Sequence, residues 1–474
     1  MSASLKYDKI IKYKISAKCE GPMHIGSALG DKENVLIHPV DNIPFIQASS
    51  IAGLFRAYYK EFIDTENGKK TSDLFGLEKM SEGMNSAEHA SKIKFTDGVF
   101  EQNNKLKLEL RPRVSIDDTS GTCKSEVVKG TSKRAGHKFN MEHIGVGAEF
   151  VFYMYLYLDT REYTNTEDEI EEVLAAINTG TVSIGGQKSN GNGLVKITDV
   201  KKKSFSMLSC EDREAWENED EIPDDAYDSI ACGESTKALP IYDIYVNGVI
   251  ESELLIKGIA VTPIKEKDKA NNNSKDKKEL PDYENIRNAE GEYIIPASSL
   301  KGAIRSQMQY IANYLDVKDI IDNTFGVKPN GKSKPGLQGN IKFFDTIVGN
   351  KQTNENLRLS HRIHIDKFTG GVMYGSLFSE KNVCGKVDFH IQIKNSNEPE
   401  RSCGLLLMAL RDLYLGTASV GGGYNVGKGF INVKKITVEA NGKKACIDFT
   451  SKDNIIHDND KILSACINSV KKGG

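Results

Sequence analysis

The sequence repeats itself. Ala48-Ser-Ser-Ile-Ala-Gly-Leu-Phe-Arg56 returns as Ala297-Ser-Ser-Leu-Lys-Gly-Ala-Ile-Arg305, an offset of 249 residues. Phe75-Gly76 returns as Phe325-Gly326 at 250, and Ile93-Lys-Phe-Thr-Asp97 as Ile341-Lys-Phe-Phe-Asp345 at 248. Arg113-Val-Ser-Ile-Asp117 returns as Arg362-Ile-His-Ile-Asp366 at 249, and the glycine-rich run 183–193 as 419–429 at 236. Ordered matches at a nearly constant offset mean two copies of one unit of about 200 to 235 residues. Whatever one copy folds into, the other must fold into as well. The reading places a first domain at 1–205, a linker at 206–236 and a second domain at 237–474.

Each copy carries the same succession of periodicities. An alternating strand opens it, at 11–19 and 241–249. A Ser-Ser pair follows, a natural N-cap, before a helix with apolar residues at Ile51, Leu54, Phe55 and Tyr58 or at Leu300, Ala303, Ile304 and Met308. Then come a strand ending in Asp97 or Asp345, an Arg-x-x-Ile-Asp stretch entering a long hairpin, and a regular strand at 149–158 or 385–393. A second helix is expected around 167–177 or 401–414, then the glycine-rich loop and a last strand at 194–197 or 430–433. The order β-α-β-β-α-β is that of an α+β, ferredoxin-like split βαβ, twice over.

Charge placement matters more than its sum. The formal net charge is -3, but between Glu211 and Asp228 lie ten acids and one base, Arg213, which is -9. The rest of the chain is therefore -3 minus -9, or +6: a mildly basic body interrupted by an acidic segment. That segment is expected to be a linker lying off any polyanion path, disordered or facing a neighbouring subunit. The eight cysteines are scattered singly with no metal-ligand spacing, which fits reduced thiols rather than a structural zinc site. No leader-like h-region opens the sequence and no stretch approaches the ~20 apolar residues of a span, so a soluble, cytoplasmic protein without membrane partners is expected.

The repeated polar residues point to phosphate. The glycine-rich loops sit at a helix-to-strand junction, the wrong place for a dinucleotide fingerprint. Gly185, Gly186, Gly421 and Gly422 let backbone amides approach an anion, and Lys188 and Lys428 would add charge. The helix starts at Ser49-Ser50 and Ser298-Ser299 form a second anion site, with Arg56 in one copy and Lys301 and Arg305 in the other. Arg113 and Arg362 open the hairpins, and the first hairpin gathers Lys124, Lys129, Lys133, Arg134, His137 and Lys138. A repeated track of this kind on ferredoxin-like sheets suits single-stranded RNA. Asp117 and Asp366, each with a glycine four residues on, at Gly121 and Gly370, read as turn formers.

These residues resemble the RAMP superfamily of CRISPR-associated proteins. The run 295–305, Ile-Pro-Ala-Ser-Ser-Leu-Lys-Gly-Ala-Ile-Arg, is similar to its P-x-S-S-L-K-G-x-x-R signature; 46–56 lacks the proline and the lysine. Within the superfamily the match is to the backbone subunit of type III effectors, and a tandem chain resembles the fused subunits of the III-D group. The resemblance implies binding of guide CRISPR RNA by both domains, hairpin thumbs that displace a base, complementary target RNA and other effector subunits as partners, and Mg2+-dependent endoribonuclease cleavage of the target. Counting back from the signature, the resemblance assigns the catalytic, metal-binding aspartate to Asp282 in the second copy and to Asp31 in the first. The alternatives are a non-catalytic guide-binding scaffold and, less well matched, a guide-processing endoribonuclease using a histidine such as His24, with His361 and His364 as the other candidates.

Overall fold

The computed structural model describes residues 7–26, 33–65, 68–77, 90–117, 123–127, 134–136, 138–161, 163–235, 241–258, 281–327, 329, 336–349, 357–395, 398–451 and 455–471. The chain packs as two compact units: Met1–Glu109 with Glu142–Lys188 and Asn192–Leu239, and Leu110–Met141 with Ser189–Gly191 and Pro240–Gly474.

In the first unit the order is β1 (Lys9–Cys19), α1 (Ala48–Tyr58), β2 (Ile93–Phe95), β3 (Glu149–Leu158), α2 (Thr166–Asn178) and β4 (Val195–Ser206). Strand β1 lies between β4 and β3, and β2 pairs with β3, all antiparallel, so the sheet order is β4-β1-β3-β2. This is the ferredoxin-like arrangement that the repeat predicts. The alternation of β3 translates directly into burial: Phe150, Phe152, Met154, Leu156 and Leu158 are buried, while the residues between them face the other side. The buried side of β1 carries Ile11, Tyr13 and Ile15, packed with Leu54 and Phe55 of α1 and Ile170 and Val173 of α2.

The acidic segment is not a bare linker. Ser209 caps a helix α3 (Cys210–Glu217) by accepting the Asp212 amide, two short 3-10 turns follow, and Asp228–Ser229 pairs as an edge strand with β4. This overturns the expectation of a disordered tether: the segment is folded onto the first sheet, and the reason lies in the lysines beneath it.

The second unit repeats the plan with β5 (Tyr242–Leu254), α4 (Ala297–Leu315), β6 (Ile341–Phe343), β7 (Leu357–Arg362), β8 (Phe378–Ile393), α5 (Pro399–Tyr414) and β9 (Asn432–Ala440). The order β9-β5-β8-β6 matches the first unit, and β10 (Lys443–Asp448) extends it beyond β9. Helix α5 buries one broad apolar face, including Leu406, Leu410 and Leu413, partly against α6 (Ile462–Lys471). Among the described residues no helix is long and apolar enough to cross a membrane, and all eight cysteines are free.

Candidate functional site

The repeated Ser-Ser pairs stand in the first turns of α1 and α4, but they are not the caps. Gln47 and Pro296 occupy the N-cap positions, and neither makes a side-chain cap. The cap comes from far along the chain. Asp97 accepts the Ala48 amide at 2.7 Å, and Asp345 accepts the Ala297 amide at 2.8 Å. The strand-end aspartate that the repeat singled out therefore has a stated job: a carboxylate on the positive end of a helix. The serines are partly open, with Ser50, Ser298 and Ser299 half-buried and Ser49 exposed.

In the second unit this helix start is surrounded by cations. Arg111 is buried and pairs with Asp345 at 2.6 Å. Arg113 is pushed down to about 10 by burial and by Arg111, against the pull of Asp345, and its Nε has no hydrogen-bond partner among the described residues. Lys301 donates to Ser189 Oγ at 2.7 Å. Burial, with Arg305 and Arg113 close by, lowers Lys301 to about 8. Arg305 is exposed, with its guanidinium 5.4 Å from the Phe325 ring. Four basic side chains gather here, and burial first, then their mutual repulsion, depresses Lys301 and Arg113. An anion would relieve that repulsion. In the first unit, Arg56 is the basic residue of the last turn of α1, half-buried, with alanine at the lysine position.

The glycine-rich loops are tighter than the phosphate-cradle reading expects. Gly186 and Gly422 donate their amides to the carbonyls of His24 and Leu255, at 3.0 and 2.9 Å, so those two N–H groups are spent inside the fold. A Cβ on Gly185 or Gly421 would meet the same carbonyls at 2.6 and 2.8 Å, and both have positive φ. The glycines are thus required by close approach to the chain that follows the first strand of each unit. Lys188 is exposed, as a phosphate contact requires. Lys428 is not: it is buried, 3.0 Å from Glu253 and 2.7 Å from Glu380, with a hydrogen bond to Asn382. Its expected role as added surface charge is corrected, since its charge is consumed by the carboxylates that make its burial tolerable. Arg362 shares Glu380 at 3.1 Å and remains half-buried.

Asp282 is exposed, and one carboxylate oxygen accepts from the Ser379 amide at 2.7 Å and its hydroxyl at 3.2 Å. Asp31 lies outside the described residues, as do Lys129, Lys133 and His137. Lys124 and Lys138 are exposed. Among the described residues no group of three His, Cys, Asp or Glu side chains is arranged to hold a metal. Asp366 forms the turn expected of it, accepting from the amides of Phe368 and Thr369. These bonds hold its carboxyl below the usual range. His24 is buried, with Nδ1 2.7 Å from the Glu142 carbonyl and its ring 5.5 Å from that of His143, a packing position. His361 and His364 are exposed. The sequence reading passed over Phe368 and Tyr374, fully exposed rings on the second hairpin; aromatic residues in a turn-rich stretch were the available signal.

No curated protein matches this sequence. A solved structure described as the type III-B Cmr-beta bound to cognate target RNA is similar at 16% identity and a TM-score of 0.30, over 42% of this chain and 62% of that one. The alignment thus spans less than two thirds of that relative. The family model for the RAMP superfamily matches residues 16–196 and 244–432, one match per repeat. Two matches that together cover most of the sequence, each over a β-α-β-β-α-β unit, place this chain in the RAMP superfamily.

Proposed function

We propose that this chain is a guide RNA-binding backbone subunit of a type III CRISPR interference complex, with Mg2+-dependent cleavage of complementary target RNA at its aspartates. The observation that carries the reading is the cationic cluster at the start of α4. Arg111, Arg113, Lys301 and Arg305 surround two serines and an N-terminal helix end, with Asp345 as the compensating carboxylate. A phosphodiester would bring negative charge to these clustered cations, and its oxygens would accept from the hydroxyls and guanidinium groups.

For cleavage, Asp282 offers one carboxylate oxygen beyond the one engaged by Ser379. Mg2+ is commonly held by one or two carboxylates with substrate phosphates and water completing the shell, so a lone aspartate suits a site completed by RNA. When bound, the ion would stabilise charge developing on the phosphate. The scaffold reading has its own support, because Asp282 already holds the backbone at Ser379. The assembled complex with Mg2+ and a labelled target decides between them. D282A is expected to remove one set of cuts while guide binding persists, and D282N to separate loss of charge from loss of the Ser379 bond. Unchanged cuts in D282A, D282N and D31A would establish the scaffold reading.

A further inference from the structure

The outer face of the first sheet is a ladder of lysines and tyrosines. In register across β4, β1 and β3, Lys203, Lys12 and Tyr155 form one row, and Lys201, Lys14 and Tyr153 the next. Lys94 of β2 stands opposite Tyr155. Lysines directly opposite each other across a strand pair repel, so Lys12/Lys203 and Lys14/Lys201 together demand an anionic partner. The matching rows of the second unit, through Asp243, Tyr245 and Asn247, carry no such lysine pairs.

The acidic segment meets that demand. Glu219 sits 2.9 Å from Lys12 Nζ, and Asp224 accepts from Lys14 at 2.7 and 2.8 Å and lies 3.5 Å from Lys201. Lys203 donates to the Ala226 carbonyl at 3.2 Å. Trp216 lies edge-on to Tyr155, Tyr157 and Phe205, with centroids 5.4 to 6.3 Å away. Yet from 208 to 234 no residue is buried, although both ends are anchored, by Met207 and by Ser235. The segment is held by ion pairs, the two-residue pairing of Asp228–Ser229 with β4, and half-buried Ala215, Trp216, Ile222 and Ile230 at the core's margin; with no fully buried side chain of its own, it belongs to the less stable part of the fold. A cleft lined by Lys14, Thr96, Asp97, Val151 and Tyr153 adjoins the covered face.

We propose that the Lys12, Lys14, Lys201 and Lys203 face, with Tyr153 and Tyr155, is a second single-stranded RNA-binding surface, and that the acidic segment is its displaceable occupant. The carboxylates stand where phosphates would, and Trp216 where a base would meet the tyrosine rings. RNA exchanges with the segment because both satisfy the same lysines, and the exchange releases the segment while its two ends stay anchored. The surface lies wholly in the first unit and uses none of the α4 cluster, so this inference and the proposed function stand or fall separately.

Trp216 is the only tryptophan in the chain, so its fluorescence reports on the segment directly. The full chain is titrated with labelled oligouridylate at low salt, reading label anisotropy and Trp216 emission together, in the wild type and in R113A/K301A. A red shift of Trp216 that tracks binding in both proteins is expected. E219Q/D224N should bind the oligomer about tenfold more tightly, and adding K12A/K14A should remove that gain. Circular dichroism confirms that each variant is folded. Binding with an unmoved Trp216, together with unchanged affinity in E219Q/D224N, would make the segment a permanent part of the sheet and overturn the proposal.

Discussion

The carboxylate of Asp345 receives the backbone amide of Ala297 at 2.8 Å, closing the open end of a helix that begins 48 residues earlier. Asp97 does the same for Ala48, so the bond is a property of the repeat. Asp345 alone also carries the buried Arg111.

This asymmetry predicts different costs for one substitution. D97A removes a cap, at about 1 kcal/mol. D345A also breaks the 2.6 Å ion pair to the buried Arg111, and is expected to cost about 3 kcal/mol. Urea unfolding followed by circular dichroism measures both, and equal losses would contradict the assignment.

Lys301 makes the anion site sensitive to pH. Its folded pKa, about 8, lies below the ordinary lysine value of 10.5. Below pH 8 the lysine is protonated in both folded and unfolded chains, and the fold bears the full penalty of the buried charge. Between about 8 and 10.5 the unfolded chain binds more protons, so this group's contribution to stability rises with pH. A bound phosphate needs the charged form, so affinity for RNA should fall as pH is raised through 8. K301M should flatten that dependence in anisotropy titrations.

Lys428 should behave as a structural residue. K428A removes the cation between Glu253 and Glu380 and leaves the buried Glu380 with Arg362, an expected loss of about 3 kcal/mol. K188A, at the exposed lysine of the other loop, should leave stability within about 0.5 kcal/mol and weaken RNA binding modestly. Thermal unfolding and RNA titration of the two variants should give opposite rankings.

The loop glycines give a steric test. A Cβ on Gly193 would stand 1.8 Å from the Ile184 carbonyl oxygen, and one on Gly429 2.1 Å from that of Val420, both at positive φ. G193A and G429A are expected to cost well over 1 kcal/mol. G427A, also at positive φ but with open space around its Cβ, should cost about 1 kcal/mol. Urea midpoints for the three variants check the order.

Much of the fold was legible because it is written in local periodicity. The alternation at 149–158 became β3 with the same ends, and the helix expected around 401–414 became Pro399–Tyr414. Alternation alone makes a strand too short where polar residues continue it: β4 pairs with β1 as far as Ser206 through Lys201, Lys202 and Lys203, because the acidic segment takes up Lys201 and Lys203 and the α2 carboxylates take up Lys202. The site was legible in part. The repeat exposed the Ser-Ser helix starts, Lys301, Arg305, Arg113 and the strand-end aspartates, but not that Asp97 and Asp345, rather than serine, cap the helices.

The sequence by itself determined that the chain is a duplication, that each copy runs β-α-β-β-α-β, and that glycines recur where backbones must approach closely. These are consequences of periodicity and of an ordered repeat, both visible along one dimension. Only the tertiary structure decided what each charge means. Lys428 is neutralised by Glu253 and Glu380, Lys301 is depressed by burial and by Arg305 and Arg113, and Lys12 and Lys14 are covered by Glu219 and Asp224. The energy of a charge depends on its solvation and on partners within a few ångströms, and those partners come from positions far apart in the chain.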